Sequence, residues 1–206
     1  GSFVVRAFVE SGARVVGSTR SGGDEFVAAD LTKGPDASRL VSVAVERFGR
    51  IDALVHVAGG FAYGGPIADT EDSIFDQMMD LNARGTFHVL RAVIPQMRAQ
   101  SGGRIVAIGS RAGVEPAANI GAYAASKAAL VSLVKTAALE NKDLGITANV
   151  ILPGTIDTEA NRKSDPTADR SKWVSPARIA ALAVFLASEA AAEITGAAIP
   201  FYGAGL

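Results

Sequence analysis

The chain has 206 residues, 49% of them hydrophobic, and a net charge of −1 from 20 basic and 21 acidic side chains. That length and apolar content fit one domain with a sizeable core, and balanced, scattered charge offers nothing to nucleic acid or an anionic membrane. With no cysteine and only two histidines, His56 and His88, the chain lacks the means for disulfides or thiol chemistry, and no protein-bound metal is expected.

The first residues, Gly1-Ser2-Phe3-Val4-Val5-Arg6-Ala7-Phe8, read as a glycine turn running into a helix. Residues 14–18 and 26–29 read as short strands, and Asp36 as a cap for a helix carrying Leu40, Val41, Val43 and Phe48. A strand at 51–57 precedes a helix that Thr70 could cap, carrying Ile74, Phe75, Met78 and Met79. Then come a strand at 104–108, a long Ala-rich helix at 121–140 and a strand at 146–152. Ser175-Pro176 marks a helix start, with a capping hydroxyl followed by proline at the first helical position, and 197–201 forms a last strand. The apolar stretch at 179–188 is far too short to cross a bilayer, and a reducing cytoplasm is the expected setting. Most strands are continuous apolar runs, as parallel strands buried on both faces require. Strands alternating with helices define an α/β fold, a doubly wound parallel sheet in three α/β/α layers. In such a sheet ligands bind beyond the carboxyl ends of the strands.

Residues with chemical potential fall at those ends. Tyr123 and Lys127 are i and i+4, so a helix puts them on one face. An ammonium about 5 Å from a phenol, at an effective dielectric near 20, favours the phenolate by roughly 3 kcal/mol, about two pKa units. That brings a tyrosine towards the range of general acid–base catalysis. Ser110 follows the strand at 104–108, Ala58-Gly59-Gly60 the strand at 51–57, Pro153-Gly154 the strand at 146–152, and Asp30-Leu31 the strand at 26–29. Gly-Gly as a turn, Pro-Gly as a loop and Asp30 as a cap are ordinary readings of each alone; their shared location is what points to a site.

With those residues in place, the chain resembles the short-chain dehydrogenase/reductases over nearly its whole length. The family's Asn–Ser–Tyr–Lys set matches Asn82, Ser110, Tyr123 and Lys127. The resemblance implies hydride transfer between a nicotinamide cofactor and a carbonyl or alcohol. Tyr123 would donate the proton, Ser110 would polarise the carbonyl, Lys127 would hold the nicotinamide ribose and lower the tyrosine pKa, and Asn82 would support a proton relay. Asp30 and Leu31 match the adenine contacts, Ala58 and Gly59 the end of the family's Asn-Asn-Ala-Gly motif, and Pro153, Gly154, Ile156 and Thr158 the segment over the carboxamide. His56 and Val57 replace the motif's asparagines, and His56 is expected to be a structural substitute. Where NAD-specific members carry an acid to bind the ribose diol, this chain has Thr19 followed by Arg20, which favours NADP over NAD.

The family's first strand and most of its Gly-x-x-x-Gly-x-Gly loop have no counterpart, Gly1 being either the loop's last glycine or, with Ser2, a cloning scar, so the expectation is a single Rossmann-type domain over 1–206, N-terminally incomplete, with a gap at a central position. Residues 155–174 correspond to the substrate lid. With Phe61 they resemble dihydropteridine reductase, and Phe61 or Trp173 could stack on a flat heterocycle. A carbonyl reductase of the 3-oxoacyl or small-ketone type stays ahead of a pterin reductase, since Ser110 and Thr19-Arg20 depart from the latter. A non-catalytic scaffold is the remaining alternative. The resemblance also implies a homodimer or homotetramer through the long helix, for which Ala128, Leu130, Val131, Leu133 and Val134 offer apolar surface.

Overall fold

A computed structural model describes residues 1–23 and 26–204. Among them, all six expected strands form: β1 (Gly17–Thr19), β2 (Phe26–Ala28), β3 (Ala53–His56), β4 (Gly103–Ile108), β5 (Ile146–Pro153) and β6 (Ala198–Phe201). The helices are α1 (Ser2–Glu10), α2 (Gly34–Phe48), α3 (Asp72–Met78), α4 (Gly85–Ala99), α5 (Gly121–Asn141), α6 (Glu159–Ser164) and α7 (Pro176–Leu186). Strands β3-β4-β5-β6 form one sheet, all pairs parallel, while β1 and β2 pair separately. Residues of both β1 and β3 line a cavity of about 1050 Å³, with Val4, Val5, Phe8, Leu40 and Val89 around it. This is the gap expected at the central position.

Alternation along the strands sorts the core into two layers. Ile105 and Ala107 of β4, with Ala148, Val150 and Leu152 of β5, meet Leu90, Val93 and Met97 of α4 and Leu130 and Val134 of α5. Val106, Ile108 and Ile151 turn the other way, onto Ile179, Ala183 and Leu186 of α7 and Phe8 of α1. Each fully buried Leu or Ile side chain contributes about 1.5–3 kcal/mol relative to exposure. Leu130, Val131 and Val134 are therefore spent on the chain's own core, with Leu133 packed beside them. Of the five residues expected to offer interface surface, only Ala128 is exposed.

Two expected caps act differently. Lys33 is the N-cap of α2, and Asp36, in its first turn, accepts from the Asp30 N–H at 2.8 Å. Glu71 is the N-cap of α3, while the Thr70 hydroxyl reaches back to the carbonyls of Gly64 and Pro66 at 3.2 and 3.0 Å. Ser175 does start α7, with proline next, but its hydroxyl makes no capping bond. Between α3 and α4 the helix widens into a π-helical turn, Met79–Arg84, with Asn82 at its buried centre. Wide turns of this kind often mark functional positions.

Candidate active site

The carboxyl end of β4 leads into the site. A side chain at Gly109 would put its Cβ 2.7 Å from Val150, so only glycine lets the chain leave the sheet here. Ser110 follows in extended conformation, its Oγ accepting from Ala112 N–H at 3.2 Å. Gly113 then presses on α5, where a Cβ would lie 2.9 Å from the Lys127 carbonyl carbon. This packing brings the Ser110 side chain beside the Tyr123 phenol. One turn along α5, buried Lys127 donates from Nζ to the Ile108 carbonyl at 3.2 Å.

Burial sets the acid–base character of both groups. Desolvation pushes the Tyr123 phenol above its usual pKa, and the neighbouring Ser110 hydroxyl opposes it. Desolvation pushes Lys127 down, from 10.5 to about 8. The expected lowering of the phenol by the ammonium is not found: Lys127 is not among the causes of the Tyr123 shift, and burial, which disfavours the phenolate, decides its direction. An ammonium titrating near 8 remains mostly charged at neutral pH.

Asn82 joins the end of β3 to α5. Its Oδ1 accepts from Gly60 N–H at 3.0 Å, and its Nδ2 donates to the Gly60 carbonyl and to Ser126 Oγ, each at 3.0 Å. Gly59 lies against this pair: a Cβ there would be 2.6 Å from Asn82 Oδ1 and 3.2 Å from Lys127 Nζ. Gly59→Ala is accordingly expected to cost about 1–3 kcal/mol of stability through overpacking. Urea unfolding with unchanged midpoint and slope would contradict the closeness of that contact.

Several other residues are tied into the fold. Asp30 Oδ1 accepts from Thr32 N–H and Oγ at 3.1 and 2.8 Å, and these bonds hold its carboxyl below the usual range; the Leu31 carbonyl pairs with His88 Nδ1 at 3.1 Å. Thr19 Oγ donates to the Gly22 carbonyl at 3.1 Å, and Arg20 next to it is exposed. Ala58 is exposed beyond β3, and Pro153 is buried at the end of β5. Gly154 lies close to Tyr202, whose carbonyl would be 3.2 Å from a Cβ. Ile156 bridges to Val174, closing 155–174 at its base, and Thr158 caps α6 by accepting from Asn161 N–H at 3.2 Å.

The two aromatic candidates part company. Phe61 meets the Tyr123 ring edge-on at 5.0 Å and is otherwise exposed. Trp173 instead lines a cavity of about 320 Å³ with Arg111, Gly154, Lys172 and Tyr202. Sequence reasoning missed the cluster there: Arg111 stacks over the Tyr202 ring at 4.7 Å and pairs with Glu115 at 2.7 Å, and Tyr202 Oη donates to Glu115 at 3.1 Å. The i, i+4 spacing of Arg111 and Glu115 was its one visible sign. His56 is buried, as a structural substitute should be, and bonds Thr86 Oγ at 3.1 Å.

A nicotinamide nucleotide fits this end of the sheet. Lys127 is a buried three-hydrogen donor that uses one acceptor, Ile108 O, among the described residues, leaving N–H groups for ribose hydroxyls. Gly59 and Gly60 keep the strand end free of side chains.

Comparison with known proteins agrees. The family described as Enoyl-(Acyl carrier protein) reductase matches residues 1–203. L-fucose dehydrogenase of Bos taurus is 34% identical over 92% of this chain and 79% of its own length. Dehydrogenase/reductase SDR family member 4 of Bos taurus is 31% identical over 100% of this chain and 83% of its own. Among solved structures, "ElxO with NADP Bound" superposes with a TM-score of 0.93 at 27% identity, covering 100% of this chain and 93% of that one. The chain belongs to the short-chain dehydrogenase/reductase family. It is an NAD(P)-dependent oxidoreductase with a Rossmann-type fold, acting on a small molecule. No helix among the described residues is long and apolar enough to cross a membrane.

Proposed function

We propose that this chain uses NADPH to reduce the carbonyl of a small ketone or 3-oxoacyl compound, with Ser110, Tyr123, Lys127 and Asn82 as its working residues. The observation that carries this reading is the Ser110 side chain beside the Tyr123 phenol, with the buried Lys127 ammonium one helical turn away. When bound, the nicotinamide supplies the hydride. Ser110 Oγ hydrogen-bonds the carbonyl oxygen and fixes its orientation, and Tyr123 Oη gives that oxygen its proton as charge develops there. Lys127 binds ribose hydroxyls and favours the phenolate left on Tyr123. Asn82 holds the Gly59–Gly60 turn against the ammonium. Ala58, Pro153, Gly154, Ile156 and Thr158 border the nicotinamide, Asp30 and Leu31 the adenine, and 155–174 is the lid of a single nucleotide-binding domain.

The relatives named above share a dehydrogenase chemistry, which supports a carbonyl or alcohol centre without choosing the substrate. Phe61 on Tyr123 favours an apolar group beside the reacting carbon, and Trp173 borders the lid side. Steady-state turnover with small ketones, 3-oxoacyl thioesters and a quinonoid pterin tests the substrate class, and faster pterin turnover than every ketone overturns it. A homodimer or homotetramer belongs to the same proposal, with exposed Phe87 and Leu139 on α4 and α5 as its apolar surface.

Preference for NADP rests on Arg20, exposed just beyond β1 with no carboxylate at Thr19, and on the NADP-bound neighbour. A guanidinium–phosphate contact contributes about 1.5–3 kcal/mol, so Arg20→Ala is expected to raise the NADPH KM roughly ten- to a hundredfold. The NADH KM should stay within about twofold. Equal effects on both nucleotides would show that Arg20 does not read the 2′-phosphate.

A further inference from the structure

We propose that His56 is a positioning residue, which acts through Thr86 and Asn82 to hold the wall over the Lys127 ammonium. The inference rests on the catalytic reading above and deepens it.

Hydrogen-bond counting fixes the arrangement. Thr86 Oγ lies 2.5 Å from the Asn82 carbonyl oxygen and 3.1 Å from His56 Nε2. A hydroxyl has one hydrogen and a carbonyl can only accept, so that hydrogen points at Asn82 O. The imidazole must then be the donor to Thr86, and His56 is held as the Nε2–H tautomer. All three residues are buried, His56 at 3% exposure and the others at 0%. Burial and, secondarily, the Lys127 charge lower the His56 pKa from 6.5 to about 4, so the ring is neutral wherever the enzyme works. Lys127 is the one charged group among those causes.

The same chain of contacts reaches the ammonium. Asn82 clamps both polar groups of Gly60 and bonds Ser126, the residue before Lys127. Gly59, one residue before the clamped peptide, packs between Asn82 Oδ1 and Lys127 Nζ. His56 therefore orients Thr86, Thr86 fixes the carbonyl of the π-helical turn, and Asn82 presses the glycine turn over Lys127. Loosening that wall admits water, and an ammonium that titrates near 8 because it is dry drifts back towards 10.5.

The test compares His56→Leu and Thr86→Val with His56→Gln and Thr86→Ser in NADPH-dependent reduction of a ketone that the wild type turns over. Tyr123→Phe runs alongside. Thr86→Val keeps the side-chain volume, so it reports even if His56→Leu does not fold. His56→Leu and Thr86→Val are expected to lower kcat about tenfold or more while NADPH affinity, by fluorescence titration, stays within about threefold. Both should move the alkaline limb of kcat/KM upward by about half a pH unit or more. Gln, which places an amide N–H near Nε2, and Ser, which keeps the hydroxyl, should restore rate and limb to within about threefold of wild type. A loss of rate with the limb unmoved, or without rescue, means mere packing and overturns the proposal. Wild-type behaviour of His56→Leu and Thr86→Val beside an inactive Tyr123→Phe also overturns it and leaves the catalytic reading standing. An active Tyr123→Phe removes both.

Discussion

Tyr123→Phe is expected to lower kcat by about a hundred- to ten-thousandfold, the range that a positioned proton donor contributes. NADPH affinity should stay within about threefold, since the proposed nucleotide contacts fall on Lys127 and the strand ends. The substitution is clean because the ring survives it. Phe61 packs edge-on against the Tyr123 ring at 5.0 Å, a contact phenylalanine keeps. Ser110 keeps its own bond from Ala112 N–H at 3.2 Å. What disappears is the oxygen that lies beside Ser110 and carries the proton. Removing a buried hydroxyl also relieves its desolvation, so stability should hardly change. Steady-state kinetics with a ketone, beside fluorescence titration of NADPH, measures both halves. More than about a tenth of wild-type kcat, less than about 1.4 kcal/mol of transition-state loss, would mean that the proton comes from elsewhere.

Much of the fold was legible because it depends on local patterns. Continuous apolar runs marked β4 and β5, which are buried on both faces, and proline after Ser175 marked the start of α7. Ends were less legible. Asp36 and Thr70 look like caps in sequence, but their oxygens bond backbone brought close by the β2–α2 connection and the Gly64–Pro66 turn. Apolar residues on α5 look in sequence like interface surface, because periodicity counts apolar faces and does not say what covers them. Leu130 and Val134 meet the sheet of their own chain. Within the site, i, i+4 spacing was enough to align Tyr123 with Lys127, and a strand-end serine was enough to find Ser110. The sign of the tyrosine shift was not readable, because it depends on burial that no spacing encodes. Nor was the route from His56 to Asn82, whose middle member, Thr86, looks in sequence like an ordinary helix residue.

Lys127→Met should make the protein more stable and less useful. Burial lowers the Lys127 pKa from 10.5 to about 8, so between those values an unfolded chain binds more protons than the folded one. Stability then rises with pH across about 8 to 10.5, and below about 8 the folded protein carries the full cost, roughly 3 kcal/mol. Methionine fills similar space without the charge. It also leaves the Ile108 carbonyl without the ammonium that donates to it at 3.2 Å, a loss of about 1–2 kcal/mol. The expected net gain is about 1–2 kcal/mol at pH 7, read as a higher urea midpoint at unchanged slope. Above about pH 10.5 the gain should vanish or reverse, since wild-type Lys127 is then neutral in both states. In the same variant kcat/KM for NADPH-dependent reduction should fall about a hundredfold or more, with weaker nucleotide binding, because ribose contacts and the charge beside Tyr123 go together. A variant less stable than wild type at pH 7 would mean that the folded chain already satisfies this ammonium. A gain in stability with a loss of turnover would mean that the cost of burying Lys127 is borne for the reaction, and that Asn82, Gly59 and His56 are arranged to keep the charge dry until a nucleotide meets it.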